Sequence, residues 1–262
     1  IWQWHTAVSA LERAEAADLE RMRAEVGQLT NAESSKLSVL YRNLDAEDAD
    51  TRRELEKARV EATDDRTRIR LDIALLPDAD RDLPELAVAA AAFESEEFLA
   101  LAAAITSRAD RSPPSSRTGM LERLRVMRDS DSEPTERRFR AATLLAMDDP
   151  KEAVDAEFLA GAARRLAGPE WRLWRRAFHG FRKSLLPGIR KAFRDETLAD
   201  HQHVGLARII TEYAQGDVKT LSRFLLECRP VAYPVLIEAL RSHREQARAA
   251  IEPYLKVRPR PA

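Results

Sequence analysis

Few side chains in this sequence have the type and spacing that chemistry requires. His201 and His203 lie two residues apart. On a helix that spacing turns them to roughly opposite sides, so one ion cannot take both from a regular turn. His179 sits between Trp174 and Phe181 in the chain, and no H-E-x-x-H pattern occurs; the expectation is a ring packed at a helix end and no metal site. Cys228 is the only cysteine and lies in the apolar run LSRFLLECRP. An internal disulfide and a cysteine-based zinc site are therefore excluded, and a buried structural thiol is expected rather than a nucleophile. Neither G-x-S-x-G nor a phosphate-cradling glycine loop is present in a chain with only 8 glycines, so no cofactor is expected.

Two acidic pairs, Asp78/Asp80 and Asp148/Asp149, recur where similar helical segments stop. Paired carboxylates can cleave glycosidic bonds, but a helix-ending turn that caps the next helix accounts for them without chemistry. The sharpest surface signal is basic. Between residues 164 and 194 the chain carries Arg164, Arg165, Arg172, Arg175, Arg176, Arg182, Lys183, Arg190, Lys191 and Arg194, with Trp171 and Trp174 interleaved. An anionic partner is one reading, with Arg172, Arg175, Arg176, Arg182, Lys183 and Arg190 as candidate contacts. The other is a solvated or self-neutralised face, with acidic helices such as residues 13–25 supplying counter-charge. Trp174 separates them, because only a solvent-facing ring offers a stacking platform. The whole chain, with 43 Lys and Arg against 44 Asp and Glu, is not a wholesale polyanion binder.

These residues must be positioned by helices. Ala, Leu, Arg and Glu dominate, aromatics make up 6%, and no stretch alternates with period two, so the chain is expected to be all-α. One segment returns three times, as DRTRIRLDIALLPDADR, ERRFRAATLLAMDDP and QHVGLARIITEYAQGD. Aligning Leu71, Ala141 and Ala207 gives offsets of 70 and 66 residues. After each copy come a second helix (84–93, 154–166, 218–227), a third (96–105, 170–178, 232–240) and a fourth (120–127, 184–193, 244–254). A fixed period filled with helix marks a stacked α-repeat. The units run over about 66–134, 135–197 and 198–256, with a partial unit over 1–65 whose helices are expected at 17–29, 34–44 and 48–62. Phe98, Trp171 and Tyr233 fall at equivalent places in the third helices, and Ile105, Phe178 and Leu240 two turns later; all are expected to be buried. Asn31 or Ser34 is expected to cap a helix, and Asp149–Pro150 and Gly168–Pro169 to separate helices. The Ser-, Pro- and Arg-rich stretch 107–119 is expected to be a flexible insertion carrying an inert loop or a regulatory phosphorylation site among Ser112, Ser115 and Ser116.

The sequence starts at Ile1, followed by Trp2 and Trp4, which suggests a fragment of a longer protein. The two tryptophans are either the apolar face of a first helix or the aromatic end of a membrane anchor. No run of 18 apolar residues occurs within the sequence, so none of it is expected to span a bilayer.

The combination of RLDIALLPDAD, RRFRAATLLAMDDP and WRLWRRAFHGFRKSLLPGIRKAFRDE resembles the HEAT-like repeat segment of large multidomain bacterial proteins, planctomycete ones especially. The resemblance covers most of residues 17–256. It implies a neighbouring serine/threonine kinase domain, membrane span or formylglycine-generating-type domain, and no catalytic residue in this segment. The expectation is a single solenoid of antiparallel helical hairpins over 1–262, an α-α superhelix without catalytic activity. Its role would be protein interaction or scaffolding, for a protein partner or the adjacent domains of a parent; nucleic-acid or other polyanion binding through 164–194 is the alternative.

Overall fold

The computed structural model describes residues 2–44, 48–76, 82–154 and 156–257. Among these every regular element is helical and no strand occurs. The first eight helices are α1 (Trp2–Asn31), α2 (Ser34–Asn43), α3 (Ala49–Glu61), α4 (Asp65–Ala74), α5 (Leu83–Ala90), α6 (Ser95–Ala109), α7 (Pro114–Asp129) and α8 (Thr135–Asp148). After a 3₁₀ turn at Pro150–Val154 follow α9 (Ala156–Ala167), α10 (Trp171–Ala177), a 3₁₀ turn at Phe178–Phe181, α11 (Arg182–Phe193) and α12 (Asp200–Tyr213). The last three are α13 (Val218–Glu227), α14 (Tyr233–Leu240) and α15 (Arg244–Val257). No described helix is long and apolar enough to cross a membrane.

Aspartate begins four of these helices. Asp48, Asp64, Asp82 and Asp217 accept hydrogen bonds from the backbone N–H of Thr51 (2.8 Å), Thr67 (2.8 Å), Glu85 (3.1 Å) and Thr220 (3.0 Å). Each bond satisfies an amide that has no partner within its own helix. Three of the four sites share the local pattern Asp-x-x-Thr.

The recurring segment occupies α4, α8 and α12, and its register is visible in what it buries. Arg70, Leu71, Ile73 and Ala74 are buried; so are Arg140, Ala141, Thr143 and Leu144, and Leu206, Ala207, Ile209 and Ile210. The same four positions thus face inward at the offsets read from the sequence. Arg70 and Arg140 also do the same thing there. The Nη1 of Arg70 donates to the Ala32 carbonyl (3.0 Å) and that of Arg140 to the Ala91 carbonyl (3.3 Å). Both carbonyls lie just past the end of a helix, α1 and α5, where acceptors are left over and positive charge is favoured.

Packing gathers the chain into two compact units, Ile1–Leu144 and Leu145–Ala262, and the division falls within α8. In the first unit α1 packs on α3, α5 on α7 and α2 on α6. Its core includes Leu29, Leu37, Leu55, Leu71, Phe98, Leu101 and Ile105, all fully buried; each such side chain stabilises by roughly 1.5–3 kcal/mol. In the second unit α9 packs on α11, α13 on α15 and α12 on α14. Phe158, Trp174, Phe178 and Phe181 form one aromatic cluster, with Trp174 and Phe178 centroids 5.3 Å apart. Gly188 makes the α9–α11 crossing close: a Cβ there would stand 2.7 Å from Leu159 Cβ.

Several expectations are corrected. The stretch 107–119 is mostly helix: residues 107–109 end α6, and Pro114 opens α7 at a position where its fixed φ and missing N–H are an advantage. Neither Asn31 nor Ser34 caps α2. Asn31 ends α1, its amide donating back to the Gly27 carbonyl at 3.1 Å, and Glu33 precedes α2. Of the three aromatics expected at one level, Phe98 is buried, Trp171 half-buried and Tyr233 exposed at 41%; Ile105, Phe178 and Leu240 are buried as expected. Asp78 and Asp80, and the side chains of Trp2 and Trp4, lie outside the described residues.

Candidate functional site

The basic segment is spread over the end of α9, α10, the following 3₁₀ turn and α11. Helix geometry sends these side chains in several directions, and about half of the cations are engaged by the protein itself. Arg165 donates to the Gly161 carbonyl at 3.2 Å and lies 5.3 Å from the Trp174 ring centroid. Arg175 donates to Glu212 Oε2 of α12 at 2.8 Å, and its own carbonyl accepts from the Tyr213 hydroxyl at 3.1 Å. Arg182 donates to the His179 carbonyl at 2.8 Å.

Arg190 on α11 and Arg194, just past the end of that helix, share Glu227 at the end of α13. Arg190 Nε stands 2.8 Å and Arg194 Nε 3.0 Å from Glu227 Oε2. The hydrogen bonds from Arg190 hold the Glu227 carboxyl below the usual carboxylate range, against a smaller opposing effect of burial.

Arg164, Arg172, Arg176, Lys183 and Lys191 are exposed. Arg172 and Arg175 place their guanidinium carbons 5.5 and 5.2 Å from the centroid of the half-buried Trp171 ring. That arrangement combines cation–π attraction with planar stacking and stiffens both side chains. Trp174, by contrast, is fully buried, and its indole N–H donates to Glu170 Oε2 at 3.3 Å. It offers no stacking surface. Of the six candidate contacts, Arg175, Arg182 and Arg190 are bonded to protein groups. Arg172, Arg176 and Lys183 stay exposed.

The counter-ions Glu212 and Glu227 are the residues that the sequence hides. Each sits 37 positions from its arginine, and no local pattern reports such a pairing. In the helix of residues 13–25, read as a source of counter-charge, Asp18 pairs within the helix with Arg21 at 3.3 Å.

The histidines and the cysteine separate cleanly. His201 is exposed, whereas His203 is fully buried with its ring 5.7 Å from that of Phe193. Neither ring nitrogen of His203 has a hydrogen-bond partner among the described residues. Burial pushes its pKa down, Arg229 adds to the effect, and the Asp195 backbone counters in part. His179 sits at a helix end but is exposed. The Cys228 thiol is buried, contacts the Leu225 carbonyl at 3.2 Å and is pushed up to about 11 by burial, which keeps it protonated and unreactive at neutral pH. Asp149 accepts from the Lys151 N–H at 2.9 Å, the turn-forming role that needs no chemistry. Among the described residues no group of three His, Cys, Asp or Glu side chains is arranged to hold a metal ion.

No protein-family model, curated protein or solved structure matches the chain.

Proposed function

We propose that this chain is a non-catalytic interaction module, a HEAT-like stack of helical hairpins that binds a protein partner or spaces the adjacent domains of a larger bacterial parent. The observation that carries the reading is the repeated burial register of α4, α8 and α12. Side chains spent on a repeating core leave the outer faces free for contact, which is how repeat architectures generally work. The resemblance to kinase-associated bacterial repeat segments points the same way. The exposed cations Arg172, which stacks on the Trp171 ring, Arg176 and Lys183 are the candidate contacts, and their chemistry suits an acidic protein segment.

The same cations keep nucleic acid as the alternative, and the burial of Trp174 counts against it. Fluorescence anisotropy of a labelled glutamate-rich peptide and of a labelled single-stranded oligonucleotide separates the two. The expected result is peptide binding that is lost in the triple variant Arg172→Glu/Arg176→Glu/Lys183→Glu, with little oligonucleotide binding. Tight oligonucleotide binding that weakens steeply between about 50 and about 200 mM salt would transfer the function to nucleic acid. If neither probe binds, this surface is not a contact site.

A further inference from the structure

Where α13 packs on α15, the two helices leave a cleft of about 510 Å³ between them, within the size range of small-molecule sites. Lys219 and Arg223 line it from α13, four residues apart and so on one face. Gln246, Ala250 and Pro253 line it from one face of α15, with Ala249 and Tyr254 beside them. Apolar groups thus make up most of the wall, and a few polar ones converge on it, the usual balance in a ligand pocket. The charge in this cleft has one sign. No carboxylate lines it, whereas five line the cleft beside α1 and α3 and four the cleft between α5 and α7.

Lys219 and Arg223 are exposed and make no hydrogen bond or ion pair with a described residue. Asp217 lies within reach of the Lys219 charge, but its carboxylate is committed to the Thr220 N–H at 3.0 Å and the Thr220 hydroxyl at 2.7 Å. An ammonium and a guanidinium left open on one face suit a phosphate. Helix α15 adds a second kind of group. Pro253 stands inside it and has no N–H to give the Ala249 carbonyl one turn earlier. Helix carbonyls point along the axis toward the residue four positions on, and Ala249 and Pro253 both line the cleft, so this acceptor stands open at its wall. Gln246 offers a donor and an acceptor in one amide. The Tyr254 ring, 51% exposed, offers a face for stacking.

We propose that the cleft between α13 and α15 binds a purine nucleoside monophosphate. Lys219 and Arg223 hold its phosphate. The base stacks on Tyr254, and its amino group donates to the Ala249 carbonyl, with the Gln246 amide beside it pairing donor to acceptor along the same edge. Inorganic phosphate would leave the apolar wall uncovered. An acidic peptide brings carboxylates but no planar edge of donors and acceptors. The inference goes beyond the interaction-module reading and uses none of the residues of the α10–α11 surface, so the two fail separately.

Isothermal titration of the full chain with adenosine monophosphate, adenosine and inorganic phosphate, each alone, tests it. The nucleotide is expected to bind at one site, with adenosine and phosphate each weaker by about tenfold or more. Lys219→Ala and Arg223→Ala should each weaken the nucleotide about tenfold and leave adenosine unchanged. Tyr254→Ala should weaken the nucleotide and adenosine alike. Pro253→Ala returns an N–H to the Ala249 carbonyl, so it should weaken the nucleotide while raising the melting temperature. All four positions are exposed, and circular dichroism checks that each variant folds. Absence of saturable nucleotide binding at millimolar concentration overturns the proposal. Binding that Arg223→Ala and Tyr254→Ala both leave unaltered also overturns it, because the nucleotide then sits elsewhere. Inorganic phosphate binding as tightly as the nucleotide would reduce the cleft to a plain anion site and overturn the ligand assigned to it.

Discussion

The same three-residue device appears once in each unit, in very different surroundings. In the first, Arg66 and Arg70, one turn apart on α4, hold Glu97 of α6, with Arg70 Nε 2.7 Å and Arg66 Nε 3.0 Å from Glu97 Oε1. In the second, Arg190 on α11 and Arg194 just past its end hold Glu227. The side chains of Glu97 and Arg70 are 1% and 5% exposed, whereas Glu227, Arg190 and Arg194 are 17%, 29% and 57% exposed. For Glu97 burial is the strongest influence on the carboxyl and opposes ionisation, yet the bonds from Arg66 and Arg70 outweigh it and leave the pKa lowered. For Glu227 the bond from Arg190 is already the strongest influence. Equal geometry therefore does two jobs. Water tolerates a broken pair on the surface, while a desolvated charge left without its partner is costly.

The largest effect should come from breaking the buried member. Arg70→Met removes a desolvated partner of Glu97 and the donor to the Ala32 carbonyl. Because Arg66 remains, we expect a loss of about 3 kcal/mol, the low end for a broken buried pair. Arg190→Met should cost less than about 1 kcal/mol. Urea denaturation of both variants measures the contrast, and equal losses would erase it.

Acid sharpens the comparison next. Glu97 has a lowered folded pKa, so its contribution is fully present above the unfolded value of about 4.3 and is lost as pH falls through the folded one. Glu97→Gln should flatten the acid limb of a stability–pH curve more than Glu227→Gln does. His203 has the same sign at higher pH. Its folded pKa is lowered, so the unfolded chain takes the proton first and stability falls as pH drops below about 6.5. His203→Gln should remove the part of the slope between about pH 6.5 and 5, and an unchanged slope there would mean that the ring is hydrated.

What the sequence makes legible follows from how local the cause is. The helix over residues 218–227 has the predicted limits because its amphipathic spacing and its turn all lie within a dozen residues. The recurring positions in α4, α8 and α12 are readable for the same reason. The Asp-x-x-Thr caps and Pro114 as a helix opener are equally local signals, carried by four residues or fewer. The exposure of Tyr233, the burial of Trp174 and the claims of Glu212 and Glu227 on the arginines depend on which helix lies opposite. No window around those residues contains that information. The candidate site was thus legible as a cluster of charge but not as a surface, since pairing across 37 positions decides which cations remain.

The smallest effect tests the surface member by itself. Arg194 is 57% exposed and shares Glu227 with Arg190, so Arg194→Ala should cost only about 0.2–1 kcal/mol at low salt. Raising the salt to about 1 M shortens the screening length to about 3 Å, which is comparable to the separation of the pair, so the cost should vanish. Arg70→Met should keep most of its cost under the same conditions, because mobile ions do not enter the space around a buried guanidinium. If the cost of Arg194→Ala persists at high salt, the triad at the end of α11 is drier than its exposure implies, and the two devices differ in degree rather than in kind.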